Sequence, residues 1–251
     1  KKLSDIIFEI ASTAGTKEGY PYTEPSELDK ISELSDGSEH VNIDKADSNL
    51  KKKIEGALMG RICGCLLGKP VECRKTYELH PLLKQSGNFP LHRYILSTDL
   101  TDELVEKLDY KRDWFWADKV ECAPSDDDTN YIVLAQLLIE KHGRDFTPSD
   151  VAKLWVDSQT KNGYCSAERV VYLNLMKGYC PPESASHKNV YREWIGAQIR
   201  GDYFGYINPG DPQTAAEMAW RDASISHTKN GIYGEMFASA MIAAAAVYND
   251  I

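Results

Sequence analysis

The stretch PSDDDTNYIVLAQLLIEKHG, residues 124–143, shows most clearly what kind of fold the chain adopts. After an acidic run, its apolar side chains recur three and four residues apart, which is the period of one face of an α-helix. Lys141 and His142, followed by Gly143, are typical of a helix C-terminus. We therefore predict an amphipathic helix over Asn130–His142.

Helix signals of the same kind recur along the chain. A capping residue followed by proline opens two helices, at Thr147 and at Asp211. The other predicted helices are Lys51–Lys69, Leu100–Leu108, Ser166–Lys177 and Ile232–Tyr248, with short helical pieces at Leu3–Ala11 and Glu27–Leu34. With no βαβ rhythm and no internal repeat, the pattern predicts an all-α fold, a compact bundle of many medium-length helices.

Residues 73–123 have the weakest helix pattern. Pro81 and Gly87 are expected to break regular structure there. Arg93–Ser97 is the best candidate for a strand, although it is brief. An aromatic patch at 113–116 fits packing in a core or a lid, and stacking against a nucleobase is the alternative.

Composition divides the chain near residue 50. Residues 1–50 are polar and acidic with several turn signals, and they indicate an N-terminal extension that packs on a larger body or, alternatively, a flexible tail. Residues 51–251 are expected to form a single helical domain.

The overall charge excludes some classes of partner. With 38 acidic and 29 basic side chains among 251 residues, the net charge is −9, and such a chain lacks the basic surface that binds nucleic-acid phosphates. The most apolar stretch, Met236–Tyr248, is shorter than the roughly 20 residues of a spanning helix, and no secretory signal pattern is present. We expect neither a nucleic-acid nor a membrane partner. The compartment stays open, with the cytoplasm favoured.

The cysteines contain no Cys-x-x-Cys pair. They are Cys63, Cys65, Cys73, Cys122, Cys165 and Cys180. Cys63 and Cys65 lie two residues apart on a predicted helix and point to different faces, which disfavours a zinc site built from that pair. Small buried free thiols are expected instead.

A stripe of glycines marks the first long helix. They stand four residues apart at Gly56, Gly60, Gly64 and Gly68. Each should cost about 1 kcal/mol in a helix relative to alanine. The stripe therefore indicates either close packing against a neighbouring helix or approach of a ligand at the end of the helix, near Glu72.

The most informative chemistry lies in the run Asp126-Asp127-Asp128 at the start of the predicted helix. One aspartate there is explained by capping and the helix dipole, but three adjacent carboxylates repel one another. Their oxygens are the hard ligands that Mg²⁺, Mn²⁺ or Ca²⁺ prefer. The run indicates a metal site or, equally, a solvated acidic cap.

Two further candidates lie nearer the C-terminus. Arg200 stands among glycines that include Gly196 and Gly205, where it can hold a phosphate together with backbone N–H groups or pair with a carboxylate. His227 lies near a helix end and is either functional or a capping residue.

Taken together, these motifs resemble the ADP-ribosylglycohydrolase family, the all-α fold of dinitrogenase-reductase-activating glycohydrolase and the ADP-ribosyl-acceptor hydrolases. The resemblance covers Lys51 to Tyr248 and depends on the order and spacing of several motifs. They are Gly68-Lys69-Pro70-Val71-Glu72, then Asp126-Asp127-Asp128-Thr129, which corresponds to the family's Thr-Asp-Asp-Thr, then Gly196-Ala197-Gln198-Ile199-Arg200, and Ser226-His227.

The resemblance implies a two-metal glycohydrolase that uses Mg²⁺ or Mn²⁺ and acts on an ADP-ribosylated protein or a small ADP-ribose conjugate. It implies that Asp126, Asp127 and Asp128 bind the metal pair. It also implies catalytic roles for Asp127 and for Glu72, an acid/base near the scissile bond. The implied substrate-binding residues are Gly196, Arg200 and Gly205 along the diphosphate path and His227 at the border of the pocket.

Three departures from the family pattern bear on activity. Gly64-Cys65 stands where the family has Gly-Asp, and Asp126 stands where it has Thr. The family's second metal motif, an Asp-x-Asp-Thr near the C-terminus, is absent. We therefore expect the helical domain at 51–251 to lack its C-terminal part, or the second half of the metal site to be lost.

The expected activity is metal-dependent hydrolysis of the glycosidic bond between ADP-ribose, or a related nucleotide-sugar, and its acceptor. One alternative is a non-catalytic ADP-ribose-binding or structural member of the same fold. Another is a metal-dependent hydrolase of a different glycoside or a phosphoester.

Overall fold

The computed structural model describes residues 2–35 and 48–248. Regular structure in these residues is helical, with no strand, which confirms the predicted all-α fold. The helices are α1 (Lys2–Thr13), α2 (Leu28–Glu33), α3 (Ser48–Gly68), α4 (Thr76–Gln85), α5 (Asp102–Leu108), α6 (Asp127–His142), α7 (Pro148–Ser158), α8 (Ser166–Leu175), α9 (Glu183–Ser186), α10 (Asp202–Tyr206), α11 (Pro212–Ala223) and α12 (Asn230–Ala245). Short 3₁₀ turns lie at Lys69–Val71, Ser97–Asp99, Lys161–Gly163 and Ile195–Arg200.

The long helices that the sequence predicts are present, and two of them start at the predicted caps. At α7, the Thr147 hydroxyl accepts a hydrogen bond from the Asp150 amide (3.3 Å), and the Asp150 carboxylate accepts one from the Thr147 amide (2.8 Å). At α11, the Asp211 carboxylate accepts from the Thr214 amide at 3.0 Å. α6 begins at Asp127, three residues earlier than predicted, because the acidic run itself forms its first turn.

The stretch expected to be irregular contains a helix. Pro81 lies inside α4, so the prediction that it breaks regular structure is wrong. A proline within a helix costs about 3 kcal/mol. Leu82 and Leu83 of the same helix are buried, which contributes about 3–6 kcal/mol in total and offsets that penalty. The Glu78 carboxylate also caps the helix by accepting from the Lys75 amide at 2.8 Å.

The candidate strand Arg93–Ser97 is also not a strand. The guanidinium of Arg93 forms a bidentate ion pair with Asp99, with nitrogen–oxygen distances of 2.7 and 2.8 Å. The Leu96 amide donates to the same carboxylate at 2.9 Å. These local bonds hold the segment in a turn that leads into a 3₁₀ helix, so its alternation of side chains does not reflect strand pairing.

The chain folds into two compact units, and the smaller one comprises residues 46–131. Its hydrophobic core consists of Leu82, Leu83, Ile95, Leu100, Leu104, Tyr110 and Trp116. Trp116 is completely buried, and its indole N–H donates to the Lys111 carbonyl at 2.7 Å. Trp114 stays 42% exposed, so only part of the aromatic patch has the predicted core role.

The larger unit comprises residues 1–45 and 132–251, of which 2–35 and 132–248 are described. α11 packs along α12, and α10 and the turn Ile195–Arg200 pack against α12. Two glycines permit this close approach. A Cβ at Gly205 would lie 2.7 Å from Cβ of Ile242, and one at Gly201 would lie 2.8 Å from the carbonyl oxygen of Glu235.

Within the larger unit, part of the N-terminal region packs against α11 and α12. The Trp220 indole N–H donates to the Ser26 carbonyl at 2.8 Å, and the Tyr233 hydroxyl donates to the Pro25 carbonyl. Ile31 of α2 contacts a buried cluster that includes Ile232 of α12. These contacts concern Pro25, Ser26 and Ile31, and the division of the chain near residue 50 stays a prediction.

The glycine stripe of α3 does not have the packing role that its spacing suggested. No described atom lies within 4 Å of a Cβ placed at any of its members, which are Gly56, Gly60, Gly64 and Gly68. For the described residues, the prediction that a neighbouring helix packs in this groove is therefore wrong. Approach of a ligand near Glu72 stays a prediction.

The thiols of α3 are less buried than expected. Cys63 is exposed and Cys65 is half-buried, so the expectation of two buried thiols is wrong, because α3 is exposed over much of its length. α3 has 21 residues, yet neither it nor any other helix in the described ranges is both long and apolar enough to cross a membrane.

Two glycine-to-alanine variants test the packing of the larger unit. Gly205→Ala should lower the free energy of unfolding by about 1–3 kcal/mol, because the added methyl group collides with Ile242. Gly60→Ala, in the open middle of α3, should raise it by about 0.5–1 kcal/mol. Denaturant unfolding measures both values. Shifts of the same sign would contradict the packing described here.

Candidate functional site

The acidic run forms the N-terminus of α6, within the smaller unit. The backbone carbonyl of Asp126 accepts from the Asn130 amide at 3.0 Å, and its carboxylate Oδ1 accepts from the Asp128 amide at 3.0 Å. Asp126 therefore caps the helix in the way expected of a single aspartate. Capping does not account for the other two carboxylates.

Two cations from the α3 region compensate part of this negative charge. Lys69 Nζ forms an ion pair with Asp126 Oδ2. Arg61 Nε donates to the Asp128 carbonyl at 2.6 Å, and its Nη2 lies 3.8 Å from Asp128 Oδ1. Burial by itself would raise the pKa of Asp126, but the hydrogen bonds from Lys69 and from the Asp128 amide lower it.

Asp127 is the carboxyl group of the run whose environment disfavours its charge. Burial raises its pKa to about 6, and the neighbouring carboxylates of Asp126, Asp128 and Glu72 add to the rise. Asp127 can therefore hold or release a proton close to neutral pH, which is the property required of an acid/base group.

Glu72 follows the 3₁₀ turn after α3 and is exposed. It lines a cavity of about 170 Å³ together with Pro70, Arg74, Asp109, Tyr110, Lys111, Trp114 and Trp116. Lys111 Nζ lies 5.3 Å from the centroid of the Trp114 ring, a cation–π distance. The exposed part of the aromatic patch thus forms a wall of the cavity that contains Glu72.

A thiol faces the same carboxylates. Cys65 Sγ and carboxylate oxygens of Asp126 and Asp128 all lie within 4.8 Å of one another, and no other such group of three occurs in the described ranges. Burial, followed by the charges of the two aspartates, raises the pKa of the Cys65 thiol to about 12. Asp127 is not part of this converging set.

The sequence analysis missed both Cys65 and Arg61 as members of this group, although their spacing contained a signal. Arg61, Cys65 and Lys69 are four residues apart, so they lie on one face of α3 and the turn that follows it. In the sequence, Cys65 is apparent only as a departure from the family's Gly-Asp. The structure places its sulfur atom close to carboxylate oxygens of Asp126 and Asp128.

In the larger unit, Arg200 is the centre of a buried ion cluster. Its Nε donates to Asp222 at 2.5 Å, its Nη1 donates to Glu168 at 2.9 Å, and its Nη2 donates to the Ser226 hydroxyl at 2.9 Å. Arg200 Nη2 also lies 3.4 Å from a carboxylate oxygen of Glu235. Only 2% of Arg200 is exposed.

His227 lies beside this cluster and is 1% exposed. Its Nδ1 is 2.8 Å from the Ser226 hydroxyl, and its Nε2 has no hydrogen-bond partner among the described residues and lies 3.9 Å from Glu168. Burial, with a smaller contribution from Arg200, lowers the pKa of His227 to about 2, so the ring is neutral. A Cβ at Gly196 would fall 2.1 Å from the Glu168 carboxylate.

The predicted substrate-binding residues therefore lie in two different structural environments. Gly196, Arg200 and His227 all adjoin the buried ion cluster, whereas Gly205 lies at the contact between α10 and α12. The sequence left open whether Arg200 holds a phosphate or pairs with a carboxylate, and the structure contains pairs with carboxylates. Contact of these residues with a substrate stays a prediction.

Glu235 is the least compensated carboxyl group of the cluster. Both of its oxygens are buried without a hydrogen-bond partner in the described part of the chain. Burial, and then the charge of Asp222, raise its pKa well above the usual value. Burial also raises the pKa of Glu168, but the charge of Arg200 opposes that rise.

Comparisons with known proteins identify a family. The family described as ADP-ribosylglycohydrolase matches residues 46–250. No curated protein matches the chain, and no solved structure does. The matched residues include both the acidic run and the Arg200 cluster.

Glu235→Gln tests the buried cluster through the pH dependence of stability. Because the pKa of Glu235 is raised above 4.5 in the folded state, folding retains a proton that the unfolded chain releases. The free energy of unfolding should therefore fall as pH rises above about 4.5, by about 1.4 kcal/mol per pH unit. Gln cannot ionise, so the variant should be more stable than the parent at pH 7, by about 1–3 kcal/mol.

Asp222→Asn is the matched control, because it weakens a charge-assisted hydrogen bond to Arg200 and should lower stability by about 1.5–3 kcal/mol. Denaturant unfolding between pH 5 and pH 8 measures both variants. A Glu235→Gln protein that is less stable than the parent, with the same pH slope, would contradict a protonated Glu235.

Proposed function

Because the chain belongs to the ADP-ribosylglycohydrolase family, we propose that it hydrolyses the glycosidic bond between ADP-ribose, or a related nucleotide-sugar, and its acceptor. Family membership supports a hydrolase of the glycohydrolase type. The dependence on a metal ion, the identity of the substrate and the roles of individual residues belong to this proposal. The observation that carries it is the acidic run at the start of α6, with Glu72 near enough to affect the pKa of Asp127.

The donor atoms of the acidic run fit a divalent cation. Asp126 and Asp128 place carboxylate oxygens within 4.8 Å of each other and of Cys65 Sγ, so these three residues would hold an ion. When bound, the ion would orient the ribose hydroxyl groups and a water molecule and would stabilise developing negative charge. Mg²⁺ or Mn²⁺ is the ion that the family resemblance implies, and a complete family site holds two.

Two carboxyl groups are proposed to move protons. Glu72 is exposed in its cavity and is suited to accept a proton from the attacking water. Asp127, which follows Asp126 in the first turn of α6, is assigned to hold the proton that assists departure of the acceptor. A pair of carboxyl groups, one that accepts a proton and one that donates it, is the arrangement that glycoside hydrolysis uses.

The remaining predicted site residues are proposed to shape the path of the diphosphate. Arg200 and His227 are buried, so we assign them a positioning role in which they fix the backbone of the turn Ile195–Arg200. The backbone N–H groups of such a turn can bind phosphate oxygens. Gly196 and Gly205 leave room for this backbone to lie close to its neighbours.

Release of free ADP-ribose from ADP-ribosylated arginine and serine peptides tests the proposal. With Mg²⁺ or Mn²⁺ present we expect release that stops when a chelator is added. Asp127→Asn and Glu72→Gln should each reduce the rate by about 10²- to 10⁴-fold, because each removes an acid/base group. Asp113→Asn, which alters an exposed carboxylate of the same unit, is the matched control and should leave the rate unchanged.

Release that persists with chelator, or that is unaffected by Asp127→Asn, would overturn the proposed mechanism. Activity toward another nucleotide-sugar or a phosphoester, without release of ADP-ribose, would instead identify a different hydrolase on the same fold.

One observation favours a second candidate function, a non-catalytic ADP-ribose-binding module. Lys69 and Arg61 already pair with Asp126 and Asp128, so part of the negative charge of the run is compensated by the chain itself. This candidate predicts that titration calorimetry detects binding of ADP-ribose while the peptide assay shows no turnover with any divalent ion.

A further inference from the structure

The position of Cys65 among the acidic side chains has a consequence for the choice of metal. Arg61, Cys65 and Lys69 lie on one face of α3 and its following turn, and the two outer residues pair with Asp128 and Asp126. Cys65 lies between these two ion pairs. Its sulfur atom is therefore directed to the carboxylates by the same helix face that holds the cations.

We propose that Cys65 is a metal ligand together with Asp126 and Asp128, and that the site therefore prefers Zn²⁺ to Mg²⁺. This inference rests on the proposed function only in assuming that the acidic run holds a divalent ion. It concerns which ion is bound and does not depend on the substrate.

Ligand chemistry supports this preference. Mg²⁺ is bound almost entirely by oxygen atoms and retains much of its water, whereas a thiolate is a soft ligand that selects zinc and other softer transition metals. A set of one sulfur and two carboxylate oxygens within 4.8 Å of one another offers a mixture that Zn²⁺ accepts and Mg²⁺ does not favour. The thiol loses its proton when the metal binds, and the solvent takes up that proton.

The other cysteines provide an internal comparison. Cys63 lies on the same helix two residues away, is exposed, and belongs to no converging group in the described part of the chain. Cys63→Ser therefore removes a thiol from the same helix while leaving the Cys65 group intact. Any signal that arises from adventitious binding to exposed thiols should respond to this variant.

Cobalt provides a direct test, because Co²⁺ substitutes for Zn²⁺ and shows a near-ultraviolet charge-transfer absorption when sulfur is bound. The reduced full chain is freed of metal with a chelator and titrated with Co²⁺. We expect the sulfur absorption to develop, to disappear with one equivalent of Zn²⁺, and to survive an excess of Mg²⁺ of about 100-fold. Cys63→Ser should retain the absorption, and Cys65→Ser should lose it.

A second variant reverses the preference. Cys65→Asp replaces the soft ligand by a hard one, and titration calorimetry should show the affinity ratio of Zn²⁺ to Mg²⁺ falling by about 10-fold or more. Thermal unfolding of each metal-free variant verifies that it is folded. Absence of the sulfur absorption in the parent, its persistence in Cys65→Ser, or displacement of Co²⁺ by equimolar Mg²⁺ would each overturn the inference.

The outcome of the Co²⁺ titration can be distinguished from that of the peptide assay. Sulfur absorption at Cys65 without release of ADP-ribose would overturn the proposed hydrolysis and leave the metal ligand established. Metal-dependent release without the sulfur absorption would support the proposed hydrolysis and overturn the role of Cys65 as a metal ligand.

Discussion

The buried guanidinium of Arg200 joins separate parts of the larger unit. Carboxylates reach it from Glu168 on α8 and from Asp222 on α11, Glu235 of α12 lies close by, and the Trp155 ring of α7 is 4.9 Å from the guanidinium carbon. Removing these charges from water is unfavourable, and their attraction offsets that only when the geometry is good. The elements that supply the charges are therefore held in one arrangement, and the turn Ile195–Arg200 is fixed with them.

The cluster has three carboxyl groups for one guanidinium, and two pKa shifts reduce the charge that is buried there. Glu235 keeps its proton because burial and Asp222 raise its pKa, and His227 stays uncharged because burial lowers its pKa. The carboxyl groups that accept hydrogen bonds from Arg200 are those of Glu168 and Asp222. A backbone positioned in this way is suited to repeated, specific contact with a ligand, since few of its neighbours can rearrange independently.

The acidic run of the smaller unit differs from the Arg200 cluster in being less deeply buried. Its carboxylates are partly exposed, and their compensating cations are long side chains of α3 and the turn after it. An ion pair between such groups contributes little to stability when water can reach it. The pairs of the run are nevertheless more accessible to water than that between Arg200 and Glu168, whose side chains are 2% and 3% exposed.

The sequence predicts the helices of this fold more completely than it predicts the contacts of its charged residues. Caps at Thr147 and Asp211 are local, so the starts of their helices could be predicted, and the acidic run is visible as three adjacent carboxylates before a helix. Pro81 shows the limit of local rules, because burial of its neighbours overrides its helix-breaking tendency. Likewise, no local pattern separates an arginine that binds phosphate from one such as Arg200, whose partners come from distant parts of the chain.

The four-residue spacing along α3 also limits how this segment can change in length. One inserted residue rotates everything beyond it by 100° about the helix axis. An insertion between Arg61 and Lys69 would therefore separate the two cations onto different faces and carry Cys65 away from at least one of them. Surface loops in general tolerate single insertions, but in this stretch length itself is under constraint, independently of which side chains are present.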